Sequence, residues 1–129
     1  MKLLVCCDRK NKSANAIDIA VKRAKASNAF VYLVMSSVSD ASEAEITESK
    51  NKLDYYANEY FKNSGIDCET HLLIRDLAPG EDIVQFAKEK KVDEIVVGIK
   101  KKSKIGKIIF GSTAQFIILE SPCPVLTVK

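Results

Sequence analysis

The segment Val97-Gly98-Ile99-Lys100-Lys101 is followed, after nine further residues, by Gly111-Ser112-Thr113. These residue types at this spacing suit one kind of chemistry. A glycine at the end of an apolar run lets backbone approach a ligand closely, and Gly111-Ser112 at the start of a helix presents free N–H groups and the positive end of a dipole, both of which favour phosphate. A nucleotide could bridge the two. The stretch between them carries Lys100, Lys101, Lys102, Lys104 and Lys107. A charge run is ordinarily a solvated face, but beside a phosphate site lysine serves as a point-charge partner. Nucleic acid would call for interleaved aromatic rings to stack on, and the loop has none before Phe110, so RNA or DNA ranks below a free nucleotide. Asp8 closes the first apolar run and is a candidate for the same edge, with loop capping as its plain alternative. The lone His71 has no serine or cysteine nucleophile that the order of elements would bring to it, and reads as a structural or exposed histidine.

Those residues need a scaffold. The chain has 129 residues, 47% of them apolar and 29% charged, with a formal charge of +3. That is the balance of an ordinary globular domain, long enough for a two-layered core around a sheet without disulfides or metal. The apolar runs fall far short of the ~20 residues that span a bilayer. The amino-terminal run, Leu3 to Cys7, is also too short for a secretory signal, which predicts a cytoplasmic protein without membrane association. The four cysteines, Cys6, Cys7, Cys68 and Cys123, form no Cys-x-x-Cys pair and have no histidine neighbour, so buried thiols are expected in place of a metal site.

Strand and helix signals alternate along the whole chain. Leu3 to Cys7 is a continuous apolar run, as expected of a strand buried on both faces. Ser13 stands where a cap would open a helix carrying Ala16, Ile17, Ala20, Val21 and Ala24 to about Ser27. Phe30 to Met35 is a second strand. A long helix capped by Ser42 follows, with Ile46, Leu53, Tyr56, Ala57, Tyr60 and Phe61 on one face, running to Ser64 and stopped by Gly65. Thr70 to Ile74 is a third strand, and a helix opens at Gly80 and Glu81. Glu94 to Val97 is a fourth strand closed by Gly98, Ser112 to Leu119 a last helix, and Val125 to Val128 a last strand. Such alternation demands a parallel sheet with right-handed crossovers. Ligands in such sheets sit at the carboxyl ends of the strands where the winding reverses, which selects Asp8, Met35 to Ser37, and Gly98 onward.

The spacing Gly98-x2-Lys101-x9-Gly111-Ser112 resembles the Gly-x2-Gly-x9-Gly-Ser/Thr signature of the ATP-binding branch of the universal stress protein family. Asp8, Ser13, the stretch from Arg75 to Ile83 and the ending Ser121-Pro122-Cys123-Pro124-Val125-Leu126-Thr127-Val128 are similar to further family motifs, so the resemblance covers essentially the whole chain. It implies a single universal stress protein domain over residues 1–129, of α/β class with a three-layer, flavodoxin-like or Rossmann-like fold. The sheet would have five parallel strands in the order 3-2-1-4-5 and helices on both faces. It further implies an adenine nucleotide (ATP, or AMP or ADP) with magnesium as a possible companion. Gly98, Lys101, Gly111, Ser112 and Thr113 would lie along the phosphates, Asp8 with the backbone around Met35 and Ser36 along the adenosine, and Val97 would also belong to the nucleotide-binding set. Lys101 departs from the pattern: it replaces the signature's middle glycine, and it either obstructs the phosphates or supplies charge to them.

Three functions compete. One is a nucleotide-dependent regulatory module that docks on a protein partner; one is a slow ATPase; one is a nucleotide-free interaction protein of the same family. No dedicated base beyond Asp8 and Ser112 stands out, which argues against rapid turnover. Val125 to Val128 lies at the edge of the expected sheet with little to guard it, and this edge, like the family resemblance, implies a homodimer formed by pairing of the last strands.

Overall fold

The computed structural model describes residues 1–7, 14–99 and 111–129. Among them five strands form one parallel sheet: β1 (Lys2–Cys6), β2 (Phe30–Ser36), β3 (Cys68–Leu73), β4 (Glu94–Gly98) and β5 (Val125–Val128). The order is β3-β2-β1-β4-β5, as the alternation together with the family resemblance implies. Leu4 of β1 is level with Tyr32 of β2 and with Ile95 of β4. β1 is therefore bonded on both sides.

Alternation along each strand feeds two apolar layers. Leu3, Val5, Val31, Leu33, Met35 and Val96 pack with Ile17, Ala20 and Ala24 of α1 (Ala14–Ser27) and Leu53 of α2 (Glu43–Tyr56). Leu4, Tyr32, Val34, Ile95 and Val97 pack on the other face with Ile83 and Phe86 of α3 (Pro79–Lys90) and with Ala114 and Ile117 of α4 (Ser112–Glu120). Across the first layer, Arg23 of α1 grips Glu94 at the start of β4 with Nε to Oε1 at 2.9 Å and Nη2 to Oε2 at 2.5 Å. This two-pronged pairing holds the guanidinium in its charged form.

Ser42 caps α2 as expected, in a reciprocal capping box with Glu45. The long helix is not uniform, however. It passes into a π-helical turn at Ala57–Phe61 and a 3-10 turn at Lys62–Ser64 before Gly65 stops it at φ 75°. The cause lies in the spacing of its buried residues, Ser49, Leu53, Ala57 and Phe61, which recur every fourth position. A strict α-helix turns once every 3.6 residues, so its stripe would rotate off the sheet; one wider turn brings Ala57 and Phe61 back onto it. Two boundaries also shift. Pro79, in place of Gly80, opens α3, because a proline at the first helical position loses no hydrogen bond. β3 spans Cys68–Leu73, its register set by pairing with Val31 through Ser36, and Ile74 lies outside it.

α3 and α4 meet at Gly80. A Cβ there would lie 2.8 Å from the Cβ of Phe116, so the two helices approach as closely as they do only because residue 80 has no side chain. Gly80→Val should therefore lower stability by about 1–3 kcal/mol through overpacking, read as a reduced urea midpoint at unchanged m-value; a neutral result would mean that Phe116 does not hold α4 in place.

Candidate functional site

β1 and β2 are joined through α1 on one face of the sheet, and β4 and β5 through α4 on the other. The winding thus reverses between β1 and β4, and their carboxyl ends bound the crevice where ligands bind in such sheets. Hydrogen bonds carry the ladder one step past the strand ends: Cys7 N–H to the Val34 carbonyl, Ser37 N–H to that of Leu73 and Ile99 N–H to that of Val128, each at 2.8 Å.

Seven of the nine sequence-selected residues are described, and all seven lie at this edge: Met35 and Ser36 at the end of β2, Val97 and Gly98 at the end of β4, and Gly111, Ser112 and Thr113 at the start of α4. Asp8 and Lys101 lie outside the described residues, as do Ser13 and the remaining loop lysines. Met35 and Val97 are buried in opposite core layers, so what they can offer a ligand is backbone. Ser36 is half-buried and Ser112 exposed. Gly111 is the N-cap of α4, in extended conformation (φ −65°, ψ 158°) with no side-chain cap. The first helical bond is Gln115 N–H to the Gly111 carbonyl at 3.0 Å, which leaves the amides of Ser112, Thr113 and Ala114 without an intrahelical acceptor.

The glycines here differ from Gly80. A Cβ on Gly98 would make ordinary contacts, 3.6 Å from the Cβ of Ala16 and 3.9 Å from the Val128 carbonyl, and one on Gly111 would meet no described atom within 4 Å. Neither has a positive φ. The packing of the described residues does not require glycine at either position.

The other sequence candidates are scaffold. His71 Nε2 lies 3.0 Å from Glu69 Oε1, and the ring sits against Phe86 and Tyr32, with centroids at 4.9 and 5.9 Å. All four cysteines are free thiols, but only Cys7 is fully buried. Burial pushes the Cys6 thiol far above its usual range and that of Cys68 up to about 11, so neither is a nucleophile at neutral pH. Two polar residues were not singled out from sequence: Arg75, just past β3, and Asp82, fully buried in α3, whose Oδ1 accepts from Arg75 Nε at 2.6 Å. Their opposite charges seven positions apart, across a Pro-Gly helix start, were the available signal. Two concavities among the described residues, of about 520 and 380 Å³, lie at the opposite, amino edge of the sheet around Phe30, Gly65, Ile66 and Asp67. None of the seven described site residues lines them, and of the other candidates only Cys68 does, in the smaller one.

A family model described as the universal stress protein family matches residues 1–129. The chain belongs to that family. Among curated relatives, a universal stress protein of Methanocaldococcus jannaschii is 29% identical over 99% of this chain and 81% of its own length. Among solved structures, a universal stress protein from Archaeoglobus fulgidus is 35% identical with a TM-score of 0.89, covering 100% of this chain and 98% of that one. A structure of the universal stress protein from Archaeoglobus fulgidus in complex with dAMP is 31% identical, with a TM-score of 0.84 and coverage of 100% and 98%. This universal stress protein thus shares sheet order and helix placement with its relatives, and its candidate site lies on the edge that the shared winding creates.

If Gly98 is free of packing duty, Gly98→Ala should fold with stability unchanged or raised by up to about 1 kcal/mol, because alanine restricts the unfolded chain. Thermal unfolding of the variant checks this; a clear loss of stability would mean that the fold itself needs the glycine.

Proposed function

We propose that this universal stress protein is a cytoplasmic regulatory module that binds an adenine nucleotide, ATP foremost and AMP or ADP through the same contacts, in the crevice between β1 and β4. The observation that carries the reading is the bare backbone at that edge. Among the described residues Gly98 and Gly111 have no packing reason to be glycine, and the amides of Ser112, Thr113 and Ala114, with no side-chain cap there, stand beside the second of them. In this reading Gly98, Lys101, Gly111, Ser112 and Thr113 follow the phosphates, while Asp8 and the backbone at Met35 and Ser36 take the adenosine, with Val97 contributing backbone. The dAMP bound by the Archaeoglobus fulgidus relative supports the ligand class. Magnesium, when present, would be held chiefly by the phosphates and water, as is usual for this ion. The free thiols agree with a reducing compartment. Binding, with hydrolysis slow or absent, would set which protein partner the module docks on.

Gentle denaturation and mass spectrometry of freshly purified protein should release an adenine nucleotide, and titration should give a saturable isotherm. Gly111→Trp should weaken binding at least tenfold by covering the helix start, with the fold retained. Lys101→Gly is informative in both directions: tighter binding marks the lysine as an obstacle, weaker binding as a phosphate partner. A wild-type protein that takes up no adenine nucleotide would leave the nucleotide-free interaction protein as the standing alternative.

The second part of the reading is a homodimer through β5. Among the described residues β5 pairs only with β4, and α4, which precedes it, leaves Ile118 and Leu119 exposed at 38% and 71%. An unguarded edge beside exposed apolar side chains favours pairing with the same strand of a second chain. The carbonyls of Pro124 and Val128 accept from β4, so by strand alternation Leu126 also turns toward β4, and Val125 and Thr127 direct their backbone groups outward. Light scattering should give twice the 14.3 kDa chain mass. Thr127→Pro, which removes an outward donor, should yield a folded monomer, and a dimer that survives it must use another surface.

A further inference from the structure

Ser36 Oγ at the carboxyl end of β2 and Asp82 Oδ2 in the first turn of α3 are buried with no hydrogen-bond partner among the described residues, as is Ser49 Oγ of α2 in the other layer. Buried polar groups are nearly always satisfied, so each calls for a reason.

The framework brings the first two to the same place. Tyr32 and Val34 face α3 whereas Val31, Leu33 and Met35 face the other layer, so the two-residue period turns Ser36 toward α3. Phe86 of α3 packs on Tyr32 and His71, with ring centroids at 5.6 and 4.9 Å, and His71 is level with Val34. α3 starts at the carboxyl edge, so one turn toward its amino end shifts Asp82 by about 6 Å. Two strand positions cover nearly the same distance, which sets Asp82 level with Ser36 and with Leu73, the register partner of Ser36. The direction of Asp82 is fixed as well. Arg75 Nε donates to Oδ1, Arg75 Nη2 donates to the Asp82 carbonyl at 3.2 Å, and Arg75 Nη1 is anchored on Glu89 Oε1 at 2.5 Å. Oδ2 is then the carboxylate oxygen left without a partner among the described residues. An ionised carboxylate only accepts, whereas a serine hydroxyl both donates and accepts, and one water molecule satisfies both at once.

We propose that a single internal water joins Asp82 Oδ2 to Ser36 Oγ, making Arg75 and Asp82 positioning residues for the carboxyl end of β2. Through the nucleotide reading given above, on which this consequence rests, that end is the adenosine side of the site. Hydrogen bonds to Glu89 and Asp82 hold the Arg75 guanidinium firmly charged, so the tether persists throughout the neutral range. Its mechanical effect falls on Ser37, whose N–H to the Leu73 carbonyl is the last ladder bond before β2 becomes loop.

The test combines Ser36→Ala and Asp82→Leu, singly and together, with Asp82→Asn in place of the leucine variant should that one fail to fold. Two quantities are read: exchange of the Ser37 amide by NMR and affinity for ATP. Each single change should speed Ser37 exchange and weaken ATP binding about three- to tenfold, and the double variant should be no worse than the worse single, because both remove the same bridge. Ser36→Thr, which keeps the hydroxyl, should stay near wild type. Effects that multiply in the double variant would overturn the bridge, and so would folded variants with unchanged Ser37 exchange. Faster exchange with unchanged ATP affinity would overturn the positioning role. A wild-type protein that binds no ATP defeats the nucleotide reading instead, and the exchange data still decide the bridge.

Discussion

The molecule is organised by the burial of β1. Leu3, Leu4 and Val5 are fully inaccessible, and β1 is hydrogen-bonded on both sides, to β2 and to β4. A strand with no free edge and no free face can exist only under helices on both sides of the sheet. Right-handed crossovers then send the chain outward from β1 through α1 and α2 on one face, and back across it through α3 and α4 on the other. The reversal between β1 and β4 follows from that route, and the crevice follows from the reversal. The candidate site is thus a consequence of how the central strand is covered.

The two faces meet this requirement by different means, and both bear on the site. On the α1 face a charged pair does the tying. Arg23 reaches Glu94, itself 8% exposed, and joins the helix after β1 to the start of β4 across the point of reversal. On the α4 face the tie is steric. Gly80 lets Phe116 come close, and the position of α4, with its uncapped first turn, depends on that contact. The first is tolerant of small movements and screened where exposed; the second is a hard-core contact that responds to a single methyl group.

Much of this was legible in the sequence where a local rule suffices. The strict alternation of elements, the Ser42 cap, the Gly65 stop and the edge position of Val125 to Val128 each follow from propensity, period or order along the chain. What was not legible depends on partners far apart. The π turn at Ala57–Phe61 arises because the sheet demands a four-residue spacing, which no single side chain in that segment announces. The amino end of β3 at Cys68 is decided by β2, against which it pairs. Asp82 reads as an ordinary first-turn carboxylate, favourable at any helix start; only the fold shows it inaccessible and gripped by Arg75. At the site itself, topology selected the strand-end positions, but it could not tell that Met35 and Val97 turn their side chains into the core.

A site assembled from backbone has a particular relation to sequence. Its donors are the amides at a helix start, set by the direction of α4 and by what packs against it, and any residue type supplies an equivalent N–H except proline. The trace such a site leaves is therefore an absence of side chain where something must pass close by. Glycine costs the fold roughly 0.5–1 kcal/mol relative to alanine within a regular element, through the greater freedom of the unfolded chain. Gly80 offsets that cost with helix packing and Gly65 with a positive φ. Gly98 and Gly111 have neither offset among the described residues, and the nucleotide proposed above would supply one. The same logic limits what the lysine at position 101 can do. Under the proposed reading it would crowd or strengthen a phosphate, whereas the amides of Ser112 and Thr113 are aimed by the direction of α4 whichever residue stands at position 101.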